Sequence, residues 1–316
     1  MARQKKPTVT QRIMADVMDA QRERSHDLSR AQYIRDTKRF IKFCREQYDS
    51  RTFEECRAHI QAYSNYLCVK GYTASTIHTY LAGVCSSFGV DLATINKPIR
   101  HVADYVRGRT VKNDSSSCDL NDPRWSYVVD FQRVVGIRRD ELMRLKGSDI
   151  VADESGHTCV FVRRGKGGKP QHQRINEGYE DFVRSYFDRV SDEQRVFDRS
   201  LFDNDLNFHS LRAESAREYY YCQLRKINND PIYAKQLEAE IRARWQKCNL
   251  NKNGKVRRLP DNEIYGYYVL RGKNRELAKS KGYPLSYNKL ALLATSVFKL
   301  SHWRNDVTIA SYFLYE

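Results

Sequence analysis

None of the eight cysteines (44, 56, 68, 85, 118, 159, 222 and 248) falls in the Cys-x-x-Cys spacing of a zinc site. Scattered among helix-like segments, they read as reduced thiols of an intracellular chain, which argues against both a structural zinc site and a disulfide framework. No stretch approaches the roughly 18 apolar residues of a membrane span. The basic start, Met1-Ala2-Arg3-Gln4-Lys5-Lys6-Pro7, has no apolar run behind it and so lacks the form of a secretory leader. A glycine-rich phosphate loop ending in Lys-Ser or Lys-Thr is missing too, so nothing points to ATP as an energy source. Internal repeats and low-complexity tracts are also lacking, which excludes a solenoid.

What the sequence does have is positive charge. Its 316 residues carry a net +16 with a pI near 9.4, and a polyanion, nucleic acid first, is the partner that balance favours. Hydrophobic residues make up 41% and charged residues of both signs 30%, which is enough apolar material for packed cores and unlike a disordered polycation. Residues 1–110 hold 19 Lys/Arg against 11 Asp/Glu and the remainder 36 against 28, so each part carries +8 and each can meet phosphate.

Between Leu28 and Val90 apolar residues recur at helical spacing: Tyr33, Phe40 and Phe43; Ile60, Tyr63 and Leu67; Ile77, Tyr80, Leu81 and Val84. Three or four amphipathic helices are expected, with Ser29, Thr52 and Thr73 or Ser75 as N-caps and Gly71 after a helix end. Residues 1–20 form a basic segment (Lys5, Lys6, Arg12) that reads as a frayed terminus rather than a DNA-seeking arm. A polar linker is expected at 111–122, between a helical domain at 21–110 and a second domain at 123–316 that opens near Pro123. There the pattern predicts a helix to about Val135, another from Arg138 to Lys146, and a β-hairpin pairing Cys159–Val162 with Gln173–Ile175 around Gly165-Lys166-Gly167-Gly168. From Tyr179 on, the chain reads as mostly helical.

Four segments carry possible chemistry. In Gly136-Ile137-Arg138-Arg139-Asp140-Glu141-Leu142, a helical Arg138 shares a face with Leu142 and Leu145, where it needs either an anion or Glu141 as partner, or extends to solvent. The turn Arg163-Arg164-Gly165-Lys166-Gly167-Gly168-Lys169 presents cations at a hairpin tip, either to a groove or to water. His209-Ser210-Leu211-Arg212 opens a helix, where free amides favour anions. The fourth is Leu300-Ser301-His302-Trp303-Arg304-Asn305-Asp306-Val307-Thr308-Ile309-Ala310-Ser311-Tyr312. Taken singly, each fits an ordinary structural role.

Taken together and in this order, the four segments resemble the tyrosine recombinases, the phage integrase family. The resemblance spans nearly the whole chain, including Gly71-Tyr72-Thr73-Ala74-Ser75-Thr76-Ile77 in the N-terminal module. It implies a mainly α fold: a helical, SAM-like core-binding domain, then a catalytic domain of helices with a small β-hairpin sheet. The implied catalytic set is Arg138, Lys166, His209, Arg212, His302 and Tyr312, with no metal and no cofactor. Two guanidinium groups would clamp the charge of a phosphoryl-transfer transition state. Tyr312 would be the nucleophile, His209 its base and Lys166 the donor to the leaving 5′ oxygen, while His302 would bind the phosphate or steady the nucleophile. The covalent phosphotyrosine would conserve the energy needed for resealing. Lys38, Arg39, Arg163, Arg164 and Lys169 are further candidates for DNA contact.

The implied activity is site-specific strand exchange that integrates or excises a mobile element, on double-stranded attachment sites, in a homotetramer and with accessory DNA-bending proteins. The implied setting is cytoplasmic, in a prokaryote or on a phage or mobile element. A catalytically silent DNA-binding protein and a type IB topoisomerase are the alternatives. The chain departs from the family pattern in three places. The His302 to Tyr312 interval is ten residues where nine is usual, with Tyr315 close behind; Ser301 stands where glycine is usual; and about 222–285 is an insertion between Arg212 and His302. The insertion reads as a solvated helical elaboration rather than a DNA- or subunit-contacting one.

Overall fold

The computed structural model describes residues 7–20, 27–101, 119–165, 168–203, 206–248 and 258–314. The chain divides into two compact units, Met1–Val106 and Arg107–Glu316. Among the described residues no helix is long and apolar enough to cross a membrane.

In the first unit α1 (Val9–Ala20) comes first, and the expected helical periodicity is realised in α2 (Asp27–Tyr48), α3 (Phe53–Ala58), α4 (Ile60–Val69) and α5 (Ala74–Ser87). Phe40, Phe43, Ile60, Tyr63, Leu67, Ile77, Leu81 and Val84 are buried in one core. Phe40 sits edge-on to Phe88 at 5.3 Å and tilted against Tyr63 at 5.1 Å, geometries that add to simple area burial. Thr52 and Thr73 cap α3 and α5 by accepting from the amides of Glu55 and Thr76. Two expectations are corrected here. Ser29 lies inside α2 rather than ahead of it. Residues 9–20 are a helix, not a frayed terminus, because Ile13, Met14 and Val17 at helical spacing enter the core.

In the second unit α6 (Ser126–Val135) is followed by α7 (Arg139–Leu142), which is shorter than the expected Arg138–Lys146 helix. The hairpin is part of a three-stranded antiparallel sheet. β1 (Ile150–Ala152) pairs with β2 (Thr158–Val162), and β2 pairs with β3 (Gln171–Arg174) in the register Val160 to Gln173. α8 (Glu180–Phe187) covers the aromatic part of the core, where Phe131 meets Tyr186 and Phe197. The long α9 (Phe208–Asn229) packs against α6.

The segment expected as a solvated elaboration is packed. α10 (Pro231–Cys248) buries Leu237 and Ile241, bonds Arg174 of β3 through Glu240, and sets Trp245 edge-on against Trp303 at 4.8 Å. It is followed by a second small sheet of β4 (Tyr267–Val269) and β5 (Ser286–Asn288), with α11 (Gly272–Ser280) between them. α12 (Lys289–Ala294) then runs into a π-helical stretch, Thr295–Lys299, and α13 (Asn305–Thr308) into another, Ile309–Phe313.

Candidate active site

Arg138 is the N-cap of α7, in extended backbone. Its Nη1 donates to Glu141 Oε1 at 2.7 Å, and its own amide donates to Glu141 Oε2 at 2.9 Å, so the buried Glu141 carboxylate orients it from both ends. About 29% of the Arg138 side chain stays accessible.

Arg212, one turn into α9, is 1% exposed. Its guanidinium donates to Gly136 O, to Leu300 O at 3.1 Å, to Gln173 Oε1 at 3.4 Å and, through Nε, to the Tyr312 hydroxyl at 3.4 Å. Every one of these acceptors is neutral. Among the described residues no carboxylate lies within ion-pairing distance of Arg212, although a buried charge ordinarily demands one. Part of the compensation comes from α6. Its last carbonyls and those just beyond it converge here: Val134 O accepts from Lys299 Nζ at 2.6 Å, Val135 O from Gln173 Nε2 at 2.7 Å, Gly136 O from Arg212, and Ile137 O from Gln132 Nε2 at 2.5 Å. A helix C-terminus carries about half a negative charge, so cations are favoured at this end. The chain leaves α6 through Gly136 at φ 66°, where a Cβ would come within 2.8 Å of the Ser215 side chain, and only glycine allows that exit.

His209 and His302 flank Tyr312, with ring centroids at 5.2 and 6.3 Å. His209 Nε2 lies 3.1 Å from Ser311 O. A carbonyl only accepts, so Nε2 carries the proton there and the neutral ring's lone pair sits on Nδ1. In His302 the roles are reversed: Nδ1 accepts from the Arg304 amide at 3.3 Å, which leaves the proton on a buried Nε2 that has no partner. Burial first, then the positive charges of Arg212 and Arg138, push its pKa down to about 4, so at neutral pH it is an uncharged donor without an acceptor.

The backbone at Ser301 explains how His302 is aimed. The His302 amide closes on Ser296 O at 2.8 Å and the Leu300 amide on Thr295 O at 3.0 Å. That helix-ending motif requires a left-handed residue, and Ser301 adopts it at φ 57° in place of the glycine usual there.

Tyr312 lies in the π-helical stretch Ile309–Phe313 and is 6% exposed. Arg217 holds its carbonyl at 2.8 Å, and Phe313 anchors the segment edge-on to Tyr220 and Tyr287 at 5.1 and 5.2 Å. Arg138, His209, Arg212, His302 and Tyr312 therefore belong to one locality. Lys166 and Tyr315 lie outside the described residues.

Of the DNA-contact candidates, Arg164, Lys169 and Lys38 are exposed. Arg163, also exposed, is tied to Asp149 at 2.7 Å, and Arg39 to Asp36 at 3.1 Å with its guanidinium over the Tyr80 ring. Sequence reasoning did not find Gln132, Gln173, Arg217 or Lys299. Only Lys299 had a visible signal, as a lone cation in the apolar run from Leu290 to Leu300.

In comparisons with known proteins, no family model and no curated protein matches this chain. Among the solved structures that match is one titled the crystal structure of XerA recombinase, similar over 65% of this chain and 82% of that one, at 19% identity and a TM-score of 0.20. A TM-score that low does not bear on fold or function.

Proposed function

We propose that the chain is a site-specific DNA recombinase that cleaves and rejoins strands through a 3′-phosphotyrosine at Tyr312. The observation that carries the reading is the surroundings of that hydroxyl: a buried guanidinium without a carboxylate donates to it, and beside it stands a histidine whose inward N–H has no acceptor. Both features suit an anion with several oxygens, and a phosphodiester in its transition state is such a group.

In this reading Tyr312 Oη bonds the phosphorus as the bond to the 5′ oxygen breaks. Arg212 and the half-exposed Arg138 hold the non-bridging oxygens, and His302 donates through Nε2. His209 takes the phenol proton; with Nε2 committed to Ser311 O, it does so through Nδ1 or after a shift of that bond. Lys166 supplies the proton to the leaving 5′ oxygen. A second DNA end reverses the step, so no ATP is consumed. The π-helical turn at Ile309–Phe313 supports Tyr312 over Tyr315, since one extra residue per turn is what the ten-residue interval after His302 needs. Duplex attachment sites, a homotetramer and accessory bending proteins complete the proposal.

The test is incubation of the full chain with nicked duplexes carrying candidate attachment sites, with adducts mapped by peptide mass. A covalent adduct on Tyr312 that disappears in Tyr312→Phe and persists in EDTA is expected. An adduct on Tyr315, or one surviving Tyr312→Phe, would overturn the assignment. Relaxation of supercoiled plasmid without strand exchange would replace recombination by the topoisomerase reading.

A further inference from the structure

Lys299 is fully buried at the end of the π-helical stretch that precedes Ser301 and His302. Its Nζ donates to Val134 O at 2.6 Å and to Arg174 O at 3.1 Å, which joins the end of α6 to β3. Arg212 joins the same two places one step along, through Gly136 O and Gln173 Oε1, and Gln173 closes the set by donating to Val135 O. Lys299 also immediately precedes Leu300, whose carbonyl receives Arg212 Nη2. It therefore anchors the acceptors on both sides of the guanidinium.

We infer that Lys299 is a positioning residue for Arg212, holding the end of α6, β3 and the Leu300 carbonyl in the one arrangement that aims Nε at Tyr312. This inference rests on the recombinase reading for its catalytic consequence, though not for its geometry. A buried lysine is a costly way to tie carbonyls together, and a structural role alone is served by an apolar side chain of the same size. Burial and the charge of Arg212 lower its pKa well below the ordinary lysine value, against the opposing effects of Glu218 on α9 and Cys159 on β2. Tyr219, with its ring 5.9 Å away, and Arg174 are further titratable and charged residues beside it. The two carbonyl acceptors take two of its N–H donors.

The experiment compares the native full chain with Lys299→Met, which keeps the length and loses both donors. The first readout needs no DNA: the side-chain Nε–H resonance of Arg212 in a nitrogen-15 spectrum, assigned by its loss in Arg212→Lys. It is expected to shift and to exchange with solvent faster in Lys299→Met, and an unchanged resonance overturns the inference. The second readout is adduct formation on nicked duplex. Lys299→Met is expected to slow it about tenfold to a hundredfold, as small misplacements of a catalytic group do, with DNA affinity nearly unchanged. In an Arg212→Lys background the same substitution should add nothing, and an additive loss would show that Lys299 acts elsewhere. If Lys299→Met does not fold, Lys299→Gln, which keeps two N–H donors on a shorter chain, is put through both readouts. If the native chain forms no adduct, the recombinase reading falls, while the resonance still decides the role of Lys299.

Discussion

Two buried arginines of the second unit meet opposite solutions to the same problem. Arg174, on β3, is held by Asp153 at 2.8 Å and by Glu240 of α10, with its guanidinium stacked 3.8 Å over Phe298. Arg212, on α9, is more buried still and has carbonyls, an amide oxygen and a phenol around it. The first charge is compensated within the fold and does structural work, fastening the 222–285 region to the sheet. The second is held by the end of a helix dipole and left with uncompensated charge facing Tyr312. Buried ion pairs alone therefore do not single out a candidate site; a buried cation without a carboxylate is the more telling feature.

Substitution should separate the two. Arg174→Met strands two carboxylates and is expected to destabilise the protein by about 3–5 kcal/mol. Arg212→Met removes an unpaired charge along with its hydrogen bonds and should cost at most about 2 kcal/mol, because relief of desolvation offsets the loss. Denaturant midpoints of the two variants check this, and a larger loss for Arg212→Met would end the comparison. For adduct formation the order should reverse. Arg212→Met is expected to lose about a hundredfold to a thousandfold, the scale for removing one preorganised donor, while Arg174→Met below its melting temperature keeps most of its rate.

His302 sharpens the contrast through pH. Its folded pKa of about 4 lies below the ordinary value near 6.5, so the unfolded chain takes up the proton first. No penalty exists above pH 6.5; one grows as pH falls to about 4, reaching on the order of 3 kcal/mol. Between pH 7 and pH 4.5 the native chain should lose more unfolding free energy than His302→Gln, which lacks this group. A native chain with the same pH slope as His302→Gln would mean that the ring is not held neutral. The smallest effect is expected at Ser301: Ser301→Gly relieves a left-handed serine and should raise stability by about 1 kcal/mol, visible as a higher melting temperature.

Much of this was legible in the sequence where neighbours along the chain decide the outcome. The helices of the first unit follow from the spacing of Phe40, Ile60, Ile77 and their companions, and the caps at Thr52 and Thr73 from local hydrogen bonding. The β2–β3 hairpin follows from a change of period around glycines. The helix at 9–20 was missed because its flanking charge outweighs three apolar residues, and β1, β4 and β5 because three-residue strands carry too short a pattern. The packing of α10 was missed because its anchors, Glu240 and Trp245, look like ordinary surface residues until Arg174 and Trp303 are brought to them.

By itself the sequence determined which chemical groups are present and in what order: the arginines at 138 and 212, the histidines at 209 and 302, and the tyrosine at 312. Only the tertiary structure decided their states. Whether an arginine has a counter-ion, which nitrogen of a histidine carries the proton and whether a lysine can stay buried depend on groups far apart in the chain. Here Gly136, Gln173, Lys299 and Leu300 gather around one guanidinium. Charge compensation and desolvation act through space, over a few ångströms, and are set by the packing of α6, α9, β3 and the last turns of the chain.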